Sequence, residues 1–374
     1  MNRITRTFAV VLSAAAAAFA AVAAETEENS TTAIVRLLNS RAAGSPKDYA
    51  RAVETVAADA AKGLPLQQFV IAVISRDAEV PAKFRLTETK RKEYLSMSRG
   101  RIRALAEEKG NALAWYLLSL EANDMKYLKR AADGENIQAL NAYGTITLVD
   151  ALRNPNIETN ELNKVLSKSR ECFKKAADLG DPNGLYNLGM CYMHGYGCQI
   201  DQDLALKSFR TSAEAGHPEA INNMGGFFRD GIVVSRNPEA AVQWFERSAN
   251  LGNSYGQLNF GLALQRGEGI EKDEARAATL FRDAATQGNA EAMNAYGMCF
   301  YSGTGVEKDE IAAVRWFRAS AERGCSQAME NLATCYDKGF GVRKDVNEGT
   351  IWKVRAMAAR GDRNAAAWLK QNGY

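Results

Sequence analysis

Residues 297–310 read GMCFYSGTGVEKDE, and the fold turns on what those glycines do. Paired glycines ahead of Lys308 and Asp309 resemble a loop that cradles phosphate, which would point to an enzyme. The rest of the chain decides against that. HGYGCQID at 194–201, DGIVVSRN at 230–237, RGEGIEKD at 266–273 and KGFGVRKD at 338–345 are variants of SGTGVEKD at 302–309. A phosphate loop is needed once and leads from a strand into a helix, whereas this element recurs between two helical patterns. Glycine supplies the positive φ that a tight helix–helix turn demands. The stretch is a turn.

Outward from the turn, blocks of 36 residues begin at Gly180, Gly216, Gly252 and Gly288, and a 37-residue block begins at Gly324. Counting that glycine as position 1, position 5 is small (Gly184, Ala220, Gly256, Ala292, Ala328). Positions 9 and 10 are apolar then small, as in Leu188-Gly189 and Tyr296-Gly297. Position 16 is Gly195, Gly231, Gly267, Gly303 and Gly339; position 22 is Asp201, Asn237, Asp273, Asp309 and Asp345. An Asp or Asn there satisfies orphan N–H groups at a helix start, and Pro238 follows at a first helical position. Small and aromatic residues then recur at helical spacing, as in Ala313, Phe317, Ser320 and Ala321. Each block therefore reads as helix, glycine turn, helix. Neither helix can bury its apolar stripe alone, so the blocks must stack.

These residues resemble the Sel-one-like repeat family, relatives of tetratricopeptide repeats. The family pattern is nearly complete in 288–323: Ala292, Tyr296-Gly297, Phe300, Gly303-Thr304-Gly305-Val306, Asp309, Ala313 and Trp316-Phe317. The resemblance covers 180–360 and implies an all-α, right-handed α/α superhelical solenoid of helix-turn-helix repeats. It also implies a non-catalytic scaffold or adaptor that binds a protein or peptide on a concave face, with no cofactor. A sixth copy, 134–179, keeps Ala139 and Tyr143-Gly144 but carries extra residues around RNPNIETN. Residues 110–133 look like a copy whose turn has shrunk. Residues 25–109 form a degenerate helical region, and 361–374 a closing helix with Trp368 and Leu369 on its apolar side.

The first 24 residues have the order of a secretory signal peptide: Arg3 and Arg6, an apolar run from Phe8 to Ala20, then small residues before a cut after Ala23 or Ala24. The expected location is periplasmic or secreted, with no transmembrane span after cleavage. The full chain has 47 basic and 44 acidic residues, and cleavage leaves 45 against 44. That near-neutral balance argues against nucleic acid as a partner.

Catalytic signatures are sparse. GNSYG, 252–256, matches a nucleophile elbow around Ser254 only formally, because its glycines are repeat positions 1 and 5. The two histidines, His194 and His217, stand in a turn and at a helix start, without metal-ligand spacing. Cysteine-rich relatives have been linked to peptidoglycan- or β-lactam-directed activity, but this chain lacks their regular cysteine pairs, S-x-x-K and Lys-Thr-Gly. That activity and a secreted effector-like role are the alternatives to a scaffold. Cys191, Cys299 and Cys335 share position 12 and read as small apolar fillers. If a bridge forms, Cys191 joins Cys198, just past the turn of its own repeat, or Cys172 on the preceding repeat's second helix. A basic cluster, Lys83, Arg85, Lys90, Arg91, Lys92, Arg99, Arg101 and Arg103, reads as a solvated face.

Positions 5, 9 and 12 of the first helix form the buried stripe, which leaves positions 7, 11 and 14 together on a different face. The resemblance makes that face the partner groove. It carries Tyr186, Met190 and Met193, then Asn222 and Arg229, then Leu258, Leu262 and Gln265. Asn294, Met298 and Tyr301 follow, and Glu330 and Asp337 end the row.

Overall fold

A computed structural model describes residue 37 and residues 46–61, 65–75 and 80–374. The expected signal peptide, 1–24, lies outside the described residues, as does part of the 25–109 region. Among the described residues there are eighteen α-helices and no strand. No helix there is long and apolar enough to cross a membrane. The chain divides into two compact units, Met1–Ala215 and Gly216–Tyr374.

The first unit contains α1 (Pro46–Ala61), α2 (Pro65–Ile74), α3 (Glu88–Glu107), α4 (Ala112–Ala122), α5 (Met125–Asp133), α6 (Ile137–Arg153), α7 (Thr159–Asp178), α8 (Pro182–His194) and α9 (Gln202–Glu214). Consecutive helices of this unit pack against one another in the manner of a solenoid. Its main core runs from Leu37 through Phe69, Ile71, Tyr116 and Leu128 to Leu140 and Ala176. Between α4 and α5 the turn is only Asn123-Asp124. Asn123 takes the left-handed conformation (φ 56°) and Asp124 caps α5 by accepting from the Lys126 N–H.

The second unit holds α10 (Pro218–Asp230), α11 (Pro238–Asn250), α12 (Ser254–Arg266), α13 (Glu274–Thr286), α14 (Ala290–Ser302), α15 (Glu310–Ala321), α16 (Ser326–Lys338), α17 (Val346–Ala359) and α18 (Arg363–Gln371). The turn at 302–309 does three jobs. Gly303 ends α14 at φ +76°, with its N–H bonded to the Cys299 carbonyl at 2.8 Å. Asp309 starts α15, its carboxylate accepting from the Ile311 and Ala312 N–H groups at 2.9 Å. Gly305 (φ +71°) lies against the start of α13 in the preceding repeat, where a Cβ would be 2.6 Å from the Glu274 carbonyl carbon. Gly341 makes the same approach to Glu310, and Gly269 to Pro238. Val233 holds the equivalent position of the 216–251 block and keeps the left-handed backbone (φ 63°), which a β-branched residue adopts only under strain.

In the repeats that begin at Gly180, Gly216, Gly252 and Gly288, the glycine at position 10 makes room for a phenylalanine on the second helix. Cβ atoms built on Gly189, Gly261 and Gly297 would press into the rings of Phe209, Phe281 and Phe317. Ser212, Ser248 and Ser320 tie the two helices of their own repeats together through hydroxyl donation to the carbonyls of Pro182, Pro218 and Ala290 at 2.6–2.8 Å. The last helix of the chain is α18, Arg363–Gln371. It buries only Ala365, while Trp368 is 40% exposed and stacks on Tyr374 at 6.1 Å. The indole finds its apolar neighbour in the chain terminus instead of the core.

Candidate interaction face

Two of the residues expected on the partner face, Asn222 and Asn294, hold successive repeats to one another. Asn259 donates its amide N–H to Asn222 at 2.8 Å, and Asn331 does the same to Asn294, so these asparagines form rungs between successive first helices. Asn222 and Asn294, expected as partner contacts, are half-buried and each accepts one repeat-to-repeat bond. A cognate rung in the first unit runs from Asn187 to Asn141 (3.4 Å) and from Asn141 to the buried Asp181 (2.8 Å). Burial pushes the Asp181 carboxyl above its ordinary value against the bonds from Gly184 and Asn141 that lower it.

Leu258 is corrected: it is 6% exposed and belongs to the second unit's core with Phe260 and Phe281. The face turns inward there because the next repeat's first helix packs beside it. Tyr186 is half-buried with its ring 5.7 Å from Phe209, and Met190 and Met193 are half-buried beside it on α8. Tyr301 packs edge-on against Phe340 at 5.9 Å, in the turn of the following repeat. Glu330 pairs with Arg360 and Asp337 with Lys353, both at 2.6 Å. Those surface pairs contribute little to stability but occupy the acids.

What remains open on this face is concentrated on α10, α12 and α14. Met298 is 37% exposed and Gln265 half-buried. Arg229 and Leu262 meet in a notch where α10, α11 and α12 converge, together with Asn259, Arg266 and Glu268. Arg229 donates to both Asp230 oxygens at 2.8 and 2.9 Å and to Asn259 at 3.4 Å. Its guanidinium lies 5.8 Å from the Phe245 ring centre. Asn259 and Arg266 escaped the sequence reading. Asparagine at position 8 in four of five blocks (Asn187, Asn223, Asn259, Asn331) was the available signal.

The six cysteines are free thiols. Burial pushes Cys191 up to about 12 and Cys299 and Cys335 up to about 11, which keeps them as unreactive thiols. Cys198 points its Sγ at the Cys191 carbonyl oxygen at 3.5 Å and packs with Cys191 in one small cluster. Cys172 packs instead against the N-terminal core, away from that cluster. Ser254 begins α12 behind the Asn253 cap, with no strand before it. Among the described residues no group of three or more His, Cys, Asp and Glu is placed to hold a metal ion. The basic cluster is largely engaged: Lys83 with Glu54, Arg91 with Glu88 and the Ala72 carbonyl, Arg99 with Glu121, and Arg103 with Glu107.

His217 has a task the sequence did not reveal. It caps α10, its Nδ1 accepting the Ala220 N–H at 3.3 Å, which requires the neutral ring. Burial lowers its pKa, and the Glu219 carboxylate at 3.3 Å opposes that. A folded pKa below the ordinary value means the cap's contribution is complete above about pH 6.5 and is lost as pH falls through the folded value. His217→Asn keeps a capping oxygen with no titration. Urea unfolding should give similar stabilities for variant and parent at pH 7.5. At pH 5 the variant should be ahead by about 1 kcal/mol, the worth of one cap.

Comparison with known proteins agrees with this geometry. The Sel1 repeat model matches residues 161–181, 182–217, 218–253, 254–289, 290–325 and 326–352. A Sel1 repeat protein from Oxalobacter formigenes is 27% identical, with a TM-score of 0.56 over 66% of this chain and 96% of that one. A protective antigen of uropathogenic Escherichia coli strains, displaying an SLR fold, is 26% identical, with a TM-score of 0.53 over 85% of this chain and 66% of that one. No curated protein sequence matches. With the repeat model matched over more than half of its residues, and with the cap and turn geometry recurring from block to block, the chain belongs to the Sel1 repeat family.

Proposed function

We propose that this chain is a non-catalytic scaffold, exported to the periplasm or beyond, that holds a protein or peptide on the first-helix face of its repeats. Sel1 repeats generally mediate protein–protein interaction, which supports the class of function. The observation that carries the reading to this face is what stacking leaves over. After the asparagine rungs and the core have taken their share, Met298 stays exposed and an apolar, charged notch stays open beside Arg229 and Leu262. Apolar groups on a face that the core does not consume are characteristic of recognition surfaces. The order of charges, apolar run and small residues in 1–24 supports export.

The test places a photo-crosslinking amino acid at Met298 and, separately, at Thr279, which is exposed on the second helix α13. In cells, adducts should form from position 298 and not from 279, and mass spectrometry should find the mature N-terminus after Ala23 or Ala24. Equal adducts from both positions would remove the face assignment. Hydrolysis of a chromogenic β-lactam or of peptidoglycan fragments by the purified chain would favour the enzymatic alternative.

A further inference from the structure

We propose that the notch among α10, α11 and α12 receives a short aliphatic side chain from an acidic peptide segment. This inference rests on the scaffold reading and names the kind of partner that one site fits. The notch is apolar below, where Ala241, Val242 and Phe245 of α11 face Leu262 and Ala263 of α12. Its rim is cationic. Arg229 is balanced by Asp230, and Arg236 by Glu268, whereas Arg266 is exposed and has no acidic partner among the described residues. The charged groups that line the notch itself are Arg229, Arg266 and Glu268, which leaves one positive charge over an apolar floor. Asn259, on the wall, offers an amide.

The repeat itself does not require this chemistry. One repeat further on, the positions of Arg229, Asn259, Leu262 and Arg266 hold Gln265, Ala295, Met298 and Ser302. The arginine pair is therefore a property of this site and not of the fold. Approach is also eased here alone. Position 11 carries a side chain in Met190, Leu262, Met298 and Thr334, but is Gly226 on α10. A Cβ at Gly226 would meet nothing within 4 Å, so the helix backbone one turn before Arg229 is open to an incoming chain. An acidic segment matches the rim in charge, and a Val, Ile or Leu side chain matches the floor.

A displayed library of random nine-residue peptides, panned against the full chain, tests this. The recovered sequences should carry Asp or Glu within two residues of Val, Ile or Leu. The synthesised consensus peptide should bind about tenfold more weakly to Arg266→Glu, and its affinity should fall as salt is raised. Gly226→Met, which fills open space and favours helix, should weaken binding while leaving the melting curve intact. Recovery of basic or uncharged sequences, or a consensus peptide indifferent to both substitutions, overturns the notch while the scaffold reading stands. Recovery of no peptide at all overturns the notch, and if the position-298 crosslink is also absent, the scaffold reading falls with it.

Discussion

Gly305→Ala will cost about 3 to 5 kcal/mol of stability, whereas Gly303→Ala, two residues earlier in the same turn, will cost about 1 to 2. Both glycines have left-handed backbones, φ +71° and +76°, so both alanines pay the same conformational penalty. Only the surroundings differ. At Gly303 the nearest atom to a new Cβ is the Lys308 Cβ at 3.4 Å, an ordinary contact. At Gly305 the Cβ would overlap the Glu274 carbonyl oxygen and stand 3.1 Å from the Ala275 backbone nitrogen. Backbone at the start of α13 cannot step aside as a side chain can, so the two repeats must separate. Because a repeat is stabilised by its neighbours, that separation should also broaden or split the unfolding transition. Urea titrations followed by circular dichroism read both effects. Equal losses for the two variants would mean that the second glycine serves only the turn.

The contrast between those glycines shows where the sequence is legible. Gly303 and Asp309 act within about ten residues of themselves, as helix stop and helix start, and the spacing between them announces both roles. Gly305 acts on Glu274, in the preceding repeat, and only stacking brings the two together. Its recurrence at Gly269 and Gly341 was visible, but the reason was not. The face at positions 7, 11 and 14 divides in the same way. Helical periodicity placed Asn222, Leu258 and Asn294 off the buried stripe of their own helix. Periodicity describes one helix, and the next repeat's helix then covers part of that face, taking the two amides as rungs and Leu258 as core. Arg229 and Leu262 stayed available because Gly226 and Arg266 flank them, and neither belongs to the repeat pattern.

The glycine–phenylalanine pair offers a sharper test, since the sign of the effect at the glycine should depend on the ring. Phe281 is completely buried, and Phe281→Ala should cost about 3 to 5 kcal/mol through lost burial and the cavity left behind. Gly261 stands over that ring: a Cβ there would be 2.7 Å from Cε1 and 3.0 Å from Cδ1. Gly261→Ala alone should therefore destabilise despite a helix-propensity gain of about 1 kcal/mol, because overpacking a dense core costs about 1 to 3. With Phe281 already replaced by alanine, the clash has gone and the new methyl group fills part of the cavity. Gly261→Ala should then stabilise by about 1 kcal/mol, giving a coupling energy of about 2 kcal/mol in the double-mutant cycle. The chain supplies its own precedent. In the last repeat position 10 is Ala333, and the second helix brings Trp352 rather than phenylalanine into the same core. Additive effects at Gly261 and Phe281 would mean that the ring has room to turn away, and that the small residue at position 10 is kept for some reason other than this contact.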